Sequence, residues 1–323
     1  MMGMVRPGNL SWFRSVAIIV IVLFSALSIS ADDVSGEEGP AQSFSAEGAD
    51  TCLGCHNSES MLVIFRTPHG QQADPESPLA QLQCENCHGA GGEHSGRRTK
   101  HQPVIAFGAD SATPVDEQDL ICMDCHQGDV GLAWSGSMHD RNDTGCSGCH
   151  SVHTTTDPVG LQSGQAEVCF TCHRQQRTDS MKPSAHPLRT DQPVRAAAMV
   201  CTDCHSPHAS GSAGQLKRNT LNELCLGCHA ELRGPVIFDH APVSEDCSLC
   251  HQAHGSIHPA LLTRRPPLLC QSCHSQRGHP SLSFTDGSLP GGSPSAMVLG
   301  RSCMNCHTQV HGSNHPSGSK LMR

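Results

Sequence analysis

All 20 cysteines of this 323-residue chain fall in copies of one motif, Cys-x-x-Cys-His. Residues i, i+3 and i+4 share one face of a helical turn, so each copy presents two thiols and one imidazole together. This motif is the attachment site of c-type haem, in which the thiols form thioethers and the histidine ligates the iron. The ten copies predict ten covalently bound c-type haems.

The residues of the ten motifs have two predicted roles. The cysteines predicted to bind haem covalently are Cys52, Cys55, Cys84, Cys87, Cys122, Cys125, Cys146, Cys149, Cys169, Cys172, Cys201, Cys204, Cys225, Cys228, Cys247, Cys250, Cys270, Cys273, Cys303 and Cys306. The predicted proximal iron ligands are His56, His88, His126, His150, His173, His205, His229, His251, His274 and His307.

Other uses of cysteine fit the pattern less well. Zinc ribbons do not require a histidine directly after every cysteine pair. Structural disulphides would not need a constant spacing. Thioredoxin-like motifs come singly within a βαβ unit, and no such unit is visible.

The rest of the composition indicates what kind of interior the chain can build. Aromatic residues make up 3% of the chain, tyrosine is absent, and there are 31 glycines and 21 prolines. Few rings leave little side-chain core, and so much glycine and proline disfavours long helices and regular sheets. We therefore expect a multihaem cytochrome c fold of mostly short α-helices and irregular loops with little or no β-structure. Its five di-haem repeats would form an elongated array around a row of ten haems.

Thirteen histidines lie outside the motifs, and their order follows the motifs. In each repeat one histidine lies between the two motifs, and another trails the second motif by 3 to 6 residues. These two per repeat match the number of haems, so we predict bis-histidine ligation at every iron, with no open catalytic position. The predicted distal ligands are His69, His94, His139, His153, His186, His208, His240, His254, His279 and His311, with His315 the competitor of His311.

The chain divides into three predicted parts. Residues 1–31, with two arginines before a short apolar run, predict a secretory signal peptide. Residues 32–50 are predicted to be a flexible acidic segment. Residues 51–323 form the predicted decahaem domain, with repeats at about 51–100, 121–160, 168–215, 224–260 and 269–315. The proline-containing stretch 101–120 between the first two repeats is predicted to be a loop.

Several segments resemble the MtrA/DmsE-type decahaem cytochromes of bacterial extracellular electron transfer. The resemblance covers about residues 48–323. It is carried by Gly48-Ala-Asp-Thr-Cys52, Phe107-Gly-Ala-Asp, His240-Ala-Pro-Val243, and Gly300-Arg-Ser-Cys-Met-Asn-Cys-His307 continuing through Val310-His-Gly-Ser-Asn-His-Pro316.

This resemblance implies a periplasmic electron-transfer protein, rather than an enzyme, associated with the outer membrane through a β-barrel porin. It implies transfer for extracellular metal reduction or iron oxidation. The implied partners are the porin, periplasmic or inner-membrane cytochromes, and a cell-surface multihaem cytochrome.

Two other functions stay open on the residues alone. The chain could be a soluble periplasmic shuttle to or from a reductase, or an enzyme with one open haem. A nucleic-acid partner is not expected, because the formal net charge is -9 and no extended basic cluster is present.

Overall fold

The computed structural model describes residues 43–96, 103–189, 198–209, 211–274, 303–316 and 318–321. They all belong to one unit, residues 42–323. The predicted signal peptide, His279 and part of the predicted acidic segment lie outside the described residues.

Short helices make up the regular structure of the described residues, and the longest has nine residues. The α-helices are α1 Ala49–Leu53, α2 Glu59–Leu62, α3 Glu85–His88, α4 Gly92–Ser95, α5 Val115–Met123, α6 Asp129–Trp134, α7 Gln165–Phe170, α8 Arg174–Ser180, α9 Cys201–Cys204, α10 Leu221–Cys228, α11 Ala241–Glu245 and α12 Leu268–Gln271. Single 3₁₀ turns occur at Val63–Arg66, Pro68–Gly70, Pro78–Ala80, Asp140–Asn142, Cys146–Gly148, Ala213–Gln215, Ala230–Leu232, Cys247–Leu249, Pro259–Leu261, Cys303–Asn305 and Gly318–Lys320.

The predicted scarcity of β-structure is confirmed for this part of the chain, where pairing is limited to isolated bridges. Two of these bridges join consecutive repeats. Ser184 and Ser256 exchange both backbone hydrogen bonds, at 3.1 and 2.7 Å, and Phe238 and Ser313 do the same at 2.9 and 2.8 Å. None of the described helices combines the length and apolarity needed to span a bilayer.

Two predicted boundaries differ from the structure. Within the predicted acidic segment, Ser45 binds the Glu85 carboxylate and Ala49 begins α1, so residues 43–50 are part of the packed unit. In the predicted loop 101–120, α5 begins at Val115, directly after Pro114. Proline is compatible with a helix start because the first helical turn leaves its N–H groups without intrahelical partners.

Buried apolar side chains are few among the described residues. They are Ala49, Ile64, Leu79, Trp134, Ala166, Phe170, Val200 and Leu321. Such a set is too sparse for a close-packed interior of this length. The interior is instead a large cavity, which belongs to the functional site.

Candidate haem-binding site

Each of the ten motifs forms the predicted helical turn. In every copy the backbone N–H of the histidine donates to the carbonyl of the first cysteine, with N···O distances of 2.9 to 3.0 Å. This i to i−4 bond brings both thiols and the imidazole to one side of the turn. The first motif of repeats 2 to 5 lies at the C-terminal end of a helix, as Cys225 and Cys228 do in α10.

Nine of the ten proximal imidazoles face one of the predicted distal imidazoles at nearly constant separation. With a metal–nitrogen bond of about 2 Å and a ring nitrogen about 1 Å from the ring centre, two imidazoles that share a metal have centroids about 6 Å apart. The observed separations are 6.0 to 6.4 Å. The pairs are His56–His94, His126–His69, His88–His153, His173–His139, His150–His208, His229–His186, His205–His254, His274–His240 and His251–His311.

The pairs obey a rule that the sequence did not reveal. The second motif of one repeat faces the trailing histidine of the next repeat, as His150 faces His208. The first motif of one repeat faces the intermediate histidine of the preceding repeat, as His173 faces His139. The first motif of the chain is the exception, because His56 faces His94 of its own repeat.

Backbone carbonyls fix the other ring nitrogen of several imidazoles. The Nδ1 atoms of His139, His186 and His240 lie 2.9 Å from the carbonyl oxygens of Pro207, Ala253 and Val310, respectively. Each of these carbonyls comes one residue before the trailing histidine of the next repeat. Engaging Nδ1 in this way leaves Nε2 for a metal and sets the ring orientation.

Burial keeps the distal imidazoles in the form that a metal requires. Burial, and next the proximal histidine opposite, lower the pKa of His69, His153, His208, His254 and His311 below the usual value. A lowered pKa favours the neutral imidazole, which is the ligating form.

The thiols of successive motifs lie beside one another. Within a repeat the first cysteines meet: burial and the neighbouring thiol raise the pKa of Cys52, beside Cys84, and of Cys225, beside Cys247, to about 11. The other first-cysteine pairs that are hydrogen-bonded are Cys122–Cys146, Cys169–Cys201 and Cys270–Cys303. Between repeats the second cysteines are near enough for one thiol to raise the pKa of the other after burial, as Cys172 does for Cys149. The same effect links Cys87 with Cys125, Cys204 with Cys228 and Cys250 with Cys273.

One continuous cavity of about 3790 Å³ runs along the motifs. Every motif and all nine described distal histidines line it, whereas His258 and His315 do not. Native interiors contain few voids larger than a water molecule, so a cavity of this size with paired thiols and facing imidazoles fits covalently bound haem.

A set of buried or half-buried polar residues, which the motifs alone do not predict, joins the two motifs of one repeat. They lie three or four residues before the first cysteine. Asp119 accepts hydrogen bonds from the Cys146 N–H and the Trp134 indole N–H, each at 2.8 Å. Asn222 accepts from the Cys247 N–H at 2.8 Å, and Gln165 accepts from the Thr202 N–H at 2.9 Å. The sequence signal for these residues is their recurring position shortly before the first cysteine of a repeat.

Trp134, which the sequence analysis also passed over, lies between two histidine pairs. Its ring centroid is 6.5 Å from that of His139 and 6.2 Å from that of His208. These imidazoles face the first motif of the third repeat and the second motif of the second repeat. The indole therefore packs where one repeat meets the next.

Glycines after distal histidines allow the chain to pass close to its neighbours. At Gly255, after His254, φ is 151° and a Cβ would lie 1.9 Å from the Asp179 carbonyl oxygen. At Gly70, after His69, a Cβ would lie 2.0 Å from the Ile64 carbonyl oxygen. Only glycine fits at such close approaches, which makes these positions part of ligand placement.

Comparison with known proteins identifies the family. The chain is 45% identical over 283 residues to a protein named multiheme cytochrome MtrA from Shewanella baltica (strain OS185), which covers 87% of this chain and 83% of that relative. The chain belongs to this family of multihaem cytochromes. A c-type cytochrome NrfB-like family matches residues 84–165, and the doubled CXXCH family matches residues 192–234 and 240–279.

Two further relatives cover part of the chain. The cytochrome c-type protein NrfB of Escherichia coli O6:H1 is 30% identical over 149 residues, 44% of this chain and 74% of that relative. Its namesake in Haemophilus influenzae is 31% identical over 121 residues. Together with the motifs, these likenesses make the chain an electron carrier that binds c-type haem covalently.

Proposed function

We propose that this protein carries electrons across the outer membrane through ten bis-histidine c-type haems, seated inside a β-barrel partner. The twenty motif cysteines hold the haems, the ten motif histidines are the proximal ligands, and the ten predicted histidines are the distal ligands. The tenth distal ligand in this proposal is His279, the intermediate histidine of the fifth repeat, which follows the motif histidine His274 by five residues.

The order of the motifs along one cavity, with neighbouring thiols linked from Cys52 to Cys303, carries this proposal. Each motif neighbours the motif before it and the motif after it, so cofactors attached there follow one another in chain order. A series of this kind has two ends, which suits a conductor between two partners. When bound, haem supplies one-electron exchange at its iron.

The facing imidazoles explain why the proposal is a carrier and not an enzyme. Each facing pair would hold one haem iron between its two imidazoles and so would leave no position for a substrate. Ligation by two histidines also lacks the methionine that raises haem potential, so low potentials are expected.

The irregular backbone supports a barrel partner. A hydrocarbon layer of about 30 Å separates the two sides of a membrane, and irregular backbone cannot face it because its polar groups would lose their hydrogen bonds. A chain of short turns can cross only within a protein lumen, and large barrels provide one.

The predicted signal peptide supports a periplasmic location, where periplasmic or inner-membrane cytochromes would exchange electrons with one end. A cell-surface multihaem cytochrome, or a mineral, would meet the other end. Metal reduction and iron oxidation are the two processes that such a conduit serves.

Purification from the native host tests the conduit. We expect the haem-stained protein to resist extraction with salt and to co-purify in detergent with a β-barrel protein. Liposomes that hold the complex, loaded with an oxidised dye, should transfer electrons from external dithionite. Release by salt from cells with an intact barrel would contradict the conduit and favour the soluble shuttle.

A second measurement tests the carrier assignment. The reduced wild-type protein should not bind carbon monoxide, because every iron has two histidine ligands. A stoichiometric shift of the Soret band on carbon monoxide would reveal an open haem and support the enzyme instead.

A further inference from the structure

The proximal histidines of the second motifs differ in one hydrogen bond. In four repeats the Nδ1 partner is a backbone carbonyl further along the chain. These partners are Ile105 for His88, Gly214 for His205, Ala260 for His251 and Lys320 for His307, with N···O distances of 2.6 to 2.8 Å. In the second repeat the partner of His150 is a carboxylate, the Oδ2 atom of Asp157, at 2.6 Å.

The Asp157 carboxylate has few other interactions. Its Oδ1 atom is buried without a hydrogen-bond partner. Among the described residues the Asp157 side chain forms no ion pair with a lysine or an arginine. The side chain is 28% exposed, so solvent screens its charge only partly. The negative charge of Asp157 is therefore directed at one imidazole.

A charged acceptor acts on a metal through the imidazole. A carboxylate draws the Nδ1 proton more strongly than a carbonyl does, which makes Nε2 a stronger electron donor. A stronger donor stabilises ferric iron more than ferrous iron, and the nearby negative charge has the same effect. Both effects lower the reduction potential of the bound iron.

We propose that Asp157 is a positioning residue that gives the haem held by Cys146 and Cys149 the lowest potential among those of the second motifs. This inference rests on the proposed axial roles of His150 and His208. With the potential of this fourth site lowered, electrons would pass through the site without residing there. It would therefore separate the three haems on one side from the six on the other.

The chain contains a matched control. The proximal His229 also has a carboxylate near Nδ1, but the Glu231 Oε1 atom is 3.4 Å away and its side chain is 67% exposed. A longer contact in water transmits little of the charge. Replacing Glu231 removes the same charge as replacing Asp157, without removing a short hydrogen bond.

The experiment compares Asp157→Asn, Asp157→Glu and Glu231→Gln in the full-length haem-loaded protein. The readout is a redox titration followed by electron paramagnetic resonance, with the low-spin haems counted in each variant. Asparagine still offers an oxygen to Nδ1 but no charge. We expect the potential of one low-spin haem to rise in Asp157→Asn. A tenfold change in the ratio of its oxidised and reduced forms corresponds to ~59 mV.

The remaining variants and outcomes decide the inference. Asp157→Glu should return the potential toward the wild-type value, and Glu231→Gln should leave the titration unchanged. An unaltered titration in Asp157→Asn, an equal rise in Glu231→Gln, or a new high-spin haem in Asp157→Asn would each overturn tuning by Asp157. A high-spin haem in the wild type would instead overturn the proposed ligation, on which this inference depends.

Discussion

Single residues carry the connections between repeats. His139 faces His173 of the third repeat, and its Nδ1 lies 2.9 Å from the carbonyl of Pro207, also in the third repeat. Trp134 packs against His139 and is held by the Asp119 carboxylate. One imidazole is thus fixed on three sides, which is how a short chain holds a ligand without a dense core.

Two neighbouring histidines near the C-terminus allow a sharp test of the ligands. His311 faces His251 at 6.1 Å and lines the cavity, whereas His315 does not line it. In His311→Ala we expect one haem to become high-spin and the reduced protein to bind one carbon monoxide. The matched His315→Ala should stay fully low-spin. If the two variants exchange behaviour, His315 is the ligand.

At this scale the sequence predicts residue types better than partners. The order of the histidines along the chain was enough to single out nine imidazoles that the structure sets opposite motif histidines. It was not enough to tell that His150 faces His208, because spacing within a repeat contains no information about which repeat lies opposite. The carboxylate at Asp157 was equally hidden, since it becomes a partner only once the chain turns back.

Among the structural elements, helix α10 connects the two motifs of the fourth repeat. The Asn222 side chain, in α10, accepts from the Cys247 N–H and donates to the carbonyls of Val243 and Ser244 at 2.9 and 3.2 Å. These hydrogen bonds hold the second motif of the fourth repeat against the first.

Asn222→Ala should weaken the connection between the two motifs of the fourth repeat. The variant leaves one N–H and two carbonyl groups without these partners, so we expect unfolding to require about 1–3 kcal/mol less free energy. Guanidinium unfolding followed by haem absorbance measures it. Glu245→Gln, an exposed change on α11, is the control and should match the wild type. Equal unfolding midpoints in the two variants would contradict a stabilising role of Asn222.

Glu85, in the second motif, binds the segment before the first motif, and the strength of this connection depends on pH. Its carboxylate accepts from the Ser45 N–H and hydroxyl at 2.8 and 2.7 Å and from the Gly91 N–H at 2.7 Å. Burial opposes ionisation, but these hydrogen bonds outweigh it and hold the pKa of Glu85 below its ordinary value of 4.5. The stabilisation is therefore present above that value and lost as pH falls through the lower folded-state pKa.

Glu85→Gln should accordingly be less stable than the wild type at pH 7, by about 1–3 kcal/mol. The difference should shrink as the pH falls below about 4, because the wild type then loses the ionised carboxylate as well. Unfolding at pH 7, 5 and 3 measures this, with the exposed Glu76→Gln as control. A difference that does not change with pH would mean that ionisation of Glu85 is not involved.

The motif turns were the most predictable elements, because the motif itself requires that geometry. Helix α5 is less predictable: the prolines of the stretch 101–120 indicate a loop, whereas the helix is stabilised by contacts outside itself. Gln118 and Asp119 of α5 bind Gly108 and Cys146, and such contacts are not encoded in local pattern.

In the whole molecule, histidines exchanged between repeats join the chain into one unit. Neighbouring repeats are connected by a facing pair in each direction, as between the third and fourth repeats through His205–His254 and His186–His229. An iron in each pair would turn these contacts into coordinate bonds between repeats.

The first and last repeats lead to a prediction about their distal ligands. His56 at the start faces its own repeat, so the same closure is expected at the end, where His307 would pair with His279. In His279→Ala only the last haem should become high-spin, seen as one carbon monoxide bound per reduced protein. His258→Ala, which replaces a histidine outside the cavity, should bind none. Full low-spin character in His279→Ala would show that another side chain closes this end.

The histidine pairing is the same for each interior repeat and does not depend on the number of repeats. Every interior repeat gives one imidazole backward and one forward and receives one from each side, while the first repeat pairs His56 with its own His94. A whole interior repeat could be inserted or excised without orphaning a single ligand. Adding or removing one repeat would change the number of haems by two, so the span of such a protein would follow the number of its repeats.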